Sequence, residues 1–186
     1  MSEKIKPIIS MIAAMGSDHT IGKNNKIPWD IPEDLTYLRD TTNGKPLIMG
    51  RATYESVCAY RGIDPKTNRA MPNRYNVMVS RDGDYFGGTI PEGVAITTSP
   101  QEGLTAAYEY AVSEGIPEIF VFGGATIYKA LLPYAQRLYL TEVEQAYRGD
   151  TYFPEFLRDD WNTIKHDQRN GFAFNVYERK PAITPS

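Results

Sequence analysis

Apolar and polar positions along the chain fall into blocks that read as strands and helices in turn. Short runs, several rich in β-branched residues, predict about eight strands: Ile8–Met15, Pro46–Met49, Tyr75–Ser80, Val94–Thr98, Glu118–Phe122, Arg137–Val143, Asn162–Gln168 and Phe172–Arg179. The last two flank Asn170-Gly171, a turn signal, and form a predicted hairpin. The alternation Phe172, Phe174, Val176 gives that strand one buried face.

Helix signals lie between the strands. Pro32–Thr41 opens on proline, with Glu33 and Asp34 in its first turn, where the helix dipole favours acids. Arg51–Tyr60 follows Gly50. Gln101–Ser113 follows Ser99-Pro100 and stops at Gly115. Ala125–Tyr134 follows Gly123-Gly124. Strands alternating with helices predict an α/β fold with a mostly parallel central sheet, four helices on its two faces and an antiparallel C-terminal hairpin at one edge. The 186 residues show no repeat or linker, so one domain over 1–186 is expected. Three long polar loops remain: Gly16–Asp30, Cys58–Asn73 and Arg81–Gly93. Loops of that length in a compact domain are often functional.

Composition narrows the function. Hydrophobic residues make up 41% of the chain, charged residues 23%, and the formal net charge is −3. That balance gives no reason to expect nucleic acid or an anionic membrane as a partner. Cys58 is the single cysteine, which excludes an internal disulfide, and the histidines, His19 and His166, do not suggest a metal site. Lys4 and Lys6 before the Ile8–Met15 run could pass for a secretory leader. The run is short and turn residues follow it, so a buried first strand and a cytoplasmic protein are the preferred reading.

Two strand-to-helix junctions carry candidate chemistry. Leu47-Ile48-Met49-Gly50-Arg51-Ala52-Thr53 and Phe120-Val121-Phe122-Gly123-Gly124-Ala125-Thr126-Ile127-Tyr128 each pass from strand through glycine directly into helix. Free N–H groups at a helix start attract phosphate, and glycine lets phosphate approach the backbone. Two such junctions on parallel strands suit a dinucleotide pyrophosphate, although the G-x-G-x-x-G pattern is absent. Glycine in a tight turn is the simpler alternative for either junction alone. Arg51 at a helix start opposes the dipole and needs a reason, which a phosphate supplies. Arg81, after the Tyr75–Ser80 strand, could join it at an adenosine ribose and select a 2′-phosphate. Asp34 and Leu38 share a helical face, which puts a carboxylate beside apolar side chains. First-turn acids are also common for dipole reasons alone, and Trp29 could be a pocket wall or a packing residue.

Together these segments resemble dihydrofolate reductase, from Ile8 to about Arg179. The motifs are Ile12-Ala13-Ala14, Ile21-Gly22, Pro28-Trp29, Pro32-Glu33-Asp34-Leu35, Met49-Gly50-Arg51-Ala52-Thr53-Tyr54-Glu55-Ser56, Val121-Phe122-Gly123-Gly124-Ala125-Thr126-Ile127-Tyr128, Leu140-Thr141 and Gly149-Asp150-Thr151-Tyr152-Phe153-Pro154. The resemblance implies NADPH-dependent reduction of dihydrofolate to tetrahydrofolate, with antifolates as plausible ligands. It implies that Asp34 holds the amino-pyrimidine edge of the pterin, that Thr141 hydrogen-bonds this acid and that Trp29 orders a nearby water. Arg74 matches the arginine that clamps the substrate's α-carboxylate. Ile12, Ala13, Leu35, Leu38, Val57, Phe122 and Tyr128 match the substrate pocket. Ala14, Ile21, Gly22, Gly50, Arg51, Ala52, Thr53, Ser80, Arg81, Gly123, Gly124, Ala125, Thr126, Ile127 and Tyr128 match the NADPH contacts. A cis bond at Gly123–Gly124, a lid formed by Gly16–Asp30 and a holding role for Asp150 are implied as well. The resemblance looks bacterial, because the acid is aspartate. The chain departs from the family pattern at Cys58, where many relatives have glycine. It departs again in the long Cys58–Asn73 loop, whose Arg61, Lys66 and Arg69 compete with Arg74 for the substrate tail. A monomer is the default expectation. Alternatives left open are a reductase of the same fold acting on another pterin or a ribosylamino-pyrimidine, and a non-catalytic nucleotide- or folate-binding module.

Overall fold

The computed structural model describes residues 5–183; Lys4 lies outside them, as do the ends of the 1–186 span. In chain order the elements are β1 (Ile8–Met15), β2 (Thr20–Gly22), α1 (Pro32–Thr42), β3 (Leu47–Gly50), α2 (Arg51–Arg61), β4 (Asn76–Val79), β5 (Val94–Thr97), α3 (Pro100–Glu114), β6 (Glu118–Gly123), α4 (Ala125–Leu131), β7 (Arg137–Val143), β8 (Thr151–Tyr152), β9 (Trp161–Gln168) and β10 (Phe172–Arg179). Eight strands form one sheet in the order β5-β4-β3-β6-β1-β7-β10-β9. The pairs from β5 through β7 are parallel, and β10 runs antiparallel to both β7 and β9.

Local chemistry explains the element ends. At α3 the Ser99 Oγ accepts from the Glu102 N–H at 3.1 Å, and the Glu102 carboxylate accepts from the Thr98 N–H at 3.0 Å. The first bond satisfies an N–H that the first turn leaves without a helical partner, and the second ties down the residue before the cap. Gly62 and Gly115 end α2 and α3 in the left-handed conformation, where only glycine is free of Cβ strain. The predicted fourth helix ends earlier, at Leu131. Pro133 has no N–H to continue the ladder, and Leu132–Tyr134 tightens into a 3-10 turn. Residues 20–22, inside the predicted Gly16–Asp30 loop, and residues 151–152 form β2 and β8, which pair as a small antiparallel sheet.

The period of two in the strands sorts side chains onto two cores. Met11, Ala13, Met15, Ile48, Val77 and Val121 face α3 and α4, where they meet Ala107, Ala111, Ile127 and Leu131. Ile12, Leu47, Met49, Met78 and Phe120 face the other way, toward Tyr54 and Cys58 of α2 and Leu38 of α1. Fully buried aliphatic side chains such as Leu131 contribute about 1.5–3 kcal/mol each by leaving water. A third cluster, Val143, Phe172 and Phe174 with Trp29, Ile31 and Tyr37, fastens α1 over the β7–β10 side of the sheet. Tyr37 stacks on Phe174 with ring centroids 4.3 Å apart. α1 therefore crosses the same face as α2, and the cleft between them opens at the C-terminal ends of the parallel strands, the usual ligand position in open α/β sheets.

Candidate active site

The two acids at the start of α1 part company. Glu33 reaches outward to Arg169, with Oε2 3.0 Å from Nη1 in an exposed pair, a type worth little in solution. Asp34 turns inward. Its Oδ1 accepts from the Thr141 hydroxyl at 2.6 Å, which ties the first turn of α1 to the middle of β7. Burial pushes the Asp34 carboxyl above its usual range, and the Thr141 bond pulls it partly back. Tyr128, from α4 on the opposite face, places its hydroxyl 2.6 Å from the Ile12 carbonyl and 2.9 Å from the Phe122 carbonyl. One phenolic proton shared by two main-chain acceptors holds β1 to β6 beside the acid. Ile12 is buried and Leu38, Val57 and Phe122 are partly buried around this cleft, whereas Leu35 is exposed. The Ala13 side chain belongs to the other core, because neighbours in a strand point to opposite faces. Only its main chain can serve the cleft. Trp29 packs on Tyr147, with centroids 5.0 Å apart, at the entrance to α1.

The far end of α1 carries a buried cation. Arg74 is 4% exposed. Its Nε donates to Thr42 Oγ1 at 3.0 Å, Nη1 donates to the Pro72 carbonyl at 2.5 Å, and Nη2 donates to the Arg39 carbonyl. No carboxylate among the described residues pairs with it. Burial, then the charge of Arg39, lowers its basicity from the usual arginine value. Asn76, a fully buried amide in β4, fixes the approach. It accepts from the Met71 N–H at 2.8 Å and donates to the Met71 and Arg74 carbonyls at 2.8 and 2.9 Å. The rival cations of the long loop each donate to a main-chain carbonyl. Arg61 donates to the Arg69 and Ala70 carbonyls at 3.1 and 2.7 Å. Arg69 donates to the Arg74 carbonyl at 3.4 Å, and Lys66 donates to the Tyr85 carbonyl.

Sheet order brings the two glycine junctions side by side. β3 and β6 are neighbours, with Met49 in register with Gly123. A Cβ at Gly50 would stand 3.3 Å from the Ile127 side chain, and one at Gly124 would stand 3.4 Å from Thr53 Oγ1. The N-termini of α2 and α4 thus converge on a cleft that is tight at Gly50 and leaves the glycine backbone uncovered at Gly124. The Gly123–Gly124 peptide is cis. Ala52 and Thr126 are exposed on the first turns, and Ala125 and Thr53 are half-buried. β4 lies on the other side of β3, so Ser80 and Arg81 follow directly beside Gly50 and Arg51. Ser80 is buried and accepts from the Asp82 N–H at 3.2 Å; Arg81 is exposed. Arg51 is also exposed, and its Nε donates to Glu55 at 3.0 Å.

The Gly16–Asp30 loop is anchored by residues 145–153. The Ser17 N–H donates to the Gln145 carbonyl at 3.0 Å, the Arg148 N–H to Asp18 at 2.8 Å and the Phe153 N–H to the His19 carbonyl at 2.8 Å. At its tip Lys23 and Lys26 exchange hydrogen bonds, with Asn24 and Asn25 at φ 51 and 59. This is a two-residue hairpin with both central residues left-handed, as strand twist favours. Asp150 holds the tip by accepting from the Asn24 N–H at 2.8 Å. That bond lowers the Asp150 carboxyl below the usual range. Ile21 and Gly22 lie in β2, at the base of this tip. Sequence reasoning missed two supports of the cleft. Asn76 announced itself as an amide inside an apolar strand, and Gly149 only as the first residue of a family motif, although a Cβ there would meet the Gly22 carbonyl. Neither signal says what the residue touches. No helix among the described residues is long and apolar enough to cross a membrane, and no group of residues there could hold a metal ion.

A family model for dihydrofolate reductase matches residues 8–180. The chain is 39% identical to dihydrofolate reductase HdrB of Haloferax volcanii, over 91% of this chain and 82% of that one. It is 35% identical to the dihydrofolate reductase of Bacillus subtilis, over 93% and 95%. Its fold superposes on a dihydrofolate reductase from Enterococcus faecalis, complexed with NADP(H) and RAB-propyl, with a TM-score of 0.76 and 27% identity, covering 95% of this chain and 99% of that one.

Proposed function

The chain belongs to the dihydrofolate reductase family, and on that premise we propose that Asp34 and Arg74 hold the two ends of the substrate along α1. The reaction is NADPH-dependent reduction of dihydrofolate to tetrahydrofolate. One observation carries the assignment of residues: a half-buried acid stands at the first turn of α1 and, beside its last turn, a buried arginine with no acidic partner among the described residues. The eight steps from Asp34 to Thr42 rise about 12 Å along the helix axis. Dihydrofolate is an elongated molecule with hydrogen-bond donors on its amino-pyrimidine and carboxylates on its glutamate tail. Its two ends match the two charges in sign and in order.

The glycine junctions fit NADPH. Helix N-termini from α2 and α4 offer N–H groups to the pyrophosphate, with no Cβ between. Arg51 and Arg81 flank the adenosine side, where they favour a 2′-phosphate. Ala14, Ile21 and Gly22 lie on the lid side. When bound, NADPH supplies the hydride for C6 of dihydrofolate. The protein's own work is alignment and charge. Apolar Ile12, Leu38, Val57 and Phe122 hold the pterin flat, and the lid excludes water. Asp34 favours a protonated pterin electrostatically, and water brings the proton to N5, because the acid sits at the far edge of the ring system. Tyr128 and Thr141 keep the acid and the strands in place. Trp29, at the entrance to α1, is the candidate for ordering that water. A monomeric, one-domain, cytoplasmic enzyme completes the proposal.

The test is NADPH oxidation with dihydrofolate by the wild type and by Asp34→Asn, followed at the hydride step. A loss of roughly 10²–10⁴-fold in the variant at neutral pH, partly recovered in acid, is expected for a group that controls protonation. Unchanged hydride rates across acid and neutral pH would remove Asp34 from the mechanism.

A further inference from the structure

The Arg81–Gly93 loop contains a tyrosine that the chemistry described so far does not use. Tyr85 is 3% exposed, yet two cations lie over its ring: the Arg51 guanidinium carbon at 4.7 Å from the centroid and Lys66 Nζ at 3.5 Å. Each cation has a hydrogen-bond partner as well. Arg51 Nε donates to Glu55, and Lys66 Nζ donates to the Tyr85 carbonyl. Glu55 also lies beside the Tyr85 hydroxyl, and with burial it pushes that hydroxyl up to about 12, so the ring stays neutral. Lys66 is not a loose surface lysine. Its loop is built on Asp64, which accepts from the Lys66 and Asn68 backbones at 2.9 and 3.1 Å, and on Tyr54, whose hydroxyl donates to the Asn68 carbonyl at 2.6 Å. Phe86 packs edge-on against Tyr85 and fixes the ring plane.

This arrangement aims Arg51. A guanidinium at the first residue of a helix is repelled by the dipole and, left alone, would sample many rotamers. Here it is turned away from β6 and toward the β4–β5 side, where Ser80 and Arg81 emerge. Across the sheet the order is Ser80-Arg81 on β4, Gly50-Arg51 on β3, then Gly123-Gly124 on β6. The Tyr85 side is thus the end farthest from the lid, which is the adenosine end. The hydrogen bond to Glu55 uses only Nε, and neither Nη has a protein acceptor among the described residues. Those nitrogens remain for an anion.

We propose that Tyr85 is a positioning residue for cofactor selectivity: braced by Lys66 from the long loop, its ring holds Arg51 ready for the 2′-phosphate of NADPH. The extension of the Gly62–Asn73 segment then has a function apart from the substrate tail. It reaches under the β4–β5 loop and sets the arginine that distinguishes NADPH from NADH. The proposal rests on Arg51 being a cofactor contact, as proposed above.

The experiment measures equilibrium binding of NADPH and NADH, with kcat and a thermal melt, for Tyr85→Leu, Tyr85→Phe, Lys66→Met and Arg51→Gln. Tyr85→Leu and Lys66→Met should each weaken NADPH binding by about 3- to 10-fold, the range expected for losing a cation–π contact and re-immobilising one long side chain. NADH binding and kcat should not change. Tyr85→Phe, which keeps the ring, should bind like the wild type. Arg51→Gln should lose more, and Tyr85→Leu should add nothing in its background. If Tyr85→Leu fails to fold, Lys66→Met decides the matter from an exposed position. Normal NADPH binding in Lys66→Met and Tyr85→Leu, beside a loss in Arg51→Gln, would overturn the positioning role and leave Arg51 a contact. Equal losses for NADPH and NADH would also overturn it, as mere structural damage. No loss in Arg51→Gln would overturn the cofactor role of Arg51 and this inference with it.

Discussion

The Thr141 hydroxyl donates to the Asp34 carboxylate at 2.6 Å across 107 residues of chain. This bond joins α1 to the strand beneath it and partly offsets the burial that raises the Asp34 carboxyl. Removing the donor while keeping the shape, as in Thr141→Val, leaves burial unopposed and raises the Asp34 carboxyl further. The pH profile of the hydride step should move to higher pH. Dihydrofolate binding should weaken by roughly tenfold, the equivalent of ~1.5 kcal/mol for a hydrogen bond to a charged group. Thr141→Ser should restore both. Binding and single-turnover measurements between acid and mildly alkaline pH check this, and an unmoved profile would disconnect Thr141 from the acid.

Asp34 also predicts how stability depends on pH. Its carboxyl is raised in the folded state, chiefly by burial. Between the ordinary aspartate value and that raised value the folded state binds more protons than the unfolded state. Stability must therefore fall as pH rises through this window, and it does not recover above it. Asp34→Asn has no such slope. The variant's stability relative to wild type should grow from acid to neutral pH, while its activity is largely lost. Urea denaturation of both proteins at several pH values reads the difference directly.

Arg74 predicts a split between the two ligands. Truncation in Arg74→Met removes the charge proposed for the substrate's α-carboxylate, so KM for dihydrofolate should rise by roughly 10²-fold or more, within the 2–5 kcal/mol typical of buried charge pairs. KM for NADPH should stay put. Dihydropteroate, which has no glutamate tail, should be turned over almost equally by variant and wild type. Stability should drop as well, by about 1–3 kcal/mol, because the Thr42, Arg39 and Pro72 oxygens lose their donor. A variant that affected dihydropteroate as strongly as dihydrofolate would place the tail elsewhere.

Gly149 predicts the lid's dependence on its anchor. A Cβ there would stand 2.3 Å from the Gly22 carbonyl oxygen and 2.4 Å from a Thr20 methyl. Backbone cannot yield that much, so Gly149→Ala should separate β2 from β8 and free the loop tip that Asp150 holds. NADPH dissociation should accelerate several-fold, an effect typical of lids that gate release. Asp150→Ala should produce a milder version. Acid should mimic Asp150→Ala, because the lowered Asp150 carboxyl keeps its bond to Asn24 above the usual carboxylate range and loses it as pH falls through the folded value. Stopped-flow release of NADPH is the measurement, and rates unchanged in both variants would refute the anchor.

Local pattern determined a good deal of this protein. The runs that predicted strands became the large sheet, because a buried strand and a period of two are properties of a few neighbouring residues. Ser99, Pro100 and Gly115 bounded α3 as read, since capping is local chemistry. The glycine junctions were visible for the same reason, the family motifs carried Asp34 and Thr141 by order and spacing, and the resemblance matched Arg74 just before a strand. The resemblance also implied the Thr141–Asp34 bond, but the other contacts of these residues were not visible. The β2–β8 sheet spans three and two residues, too few for any periodicity. Ala13 was named with Ile12, although the pleat sends its side chain to the opposite core. The loop cations Arg61, Lys66 and Arg69 looked like rivals of Arg74 until the fold showed them bound to their own loop and to Tyr85. Each of these depends on which strands become neighbours. Strand order is decided by how the two faces of the whole sheet are buried, and no short segment carries that information.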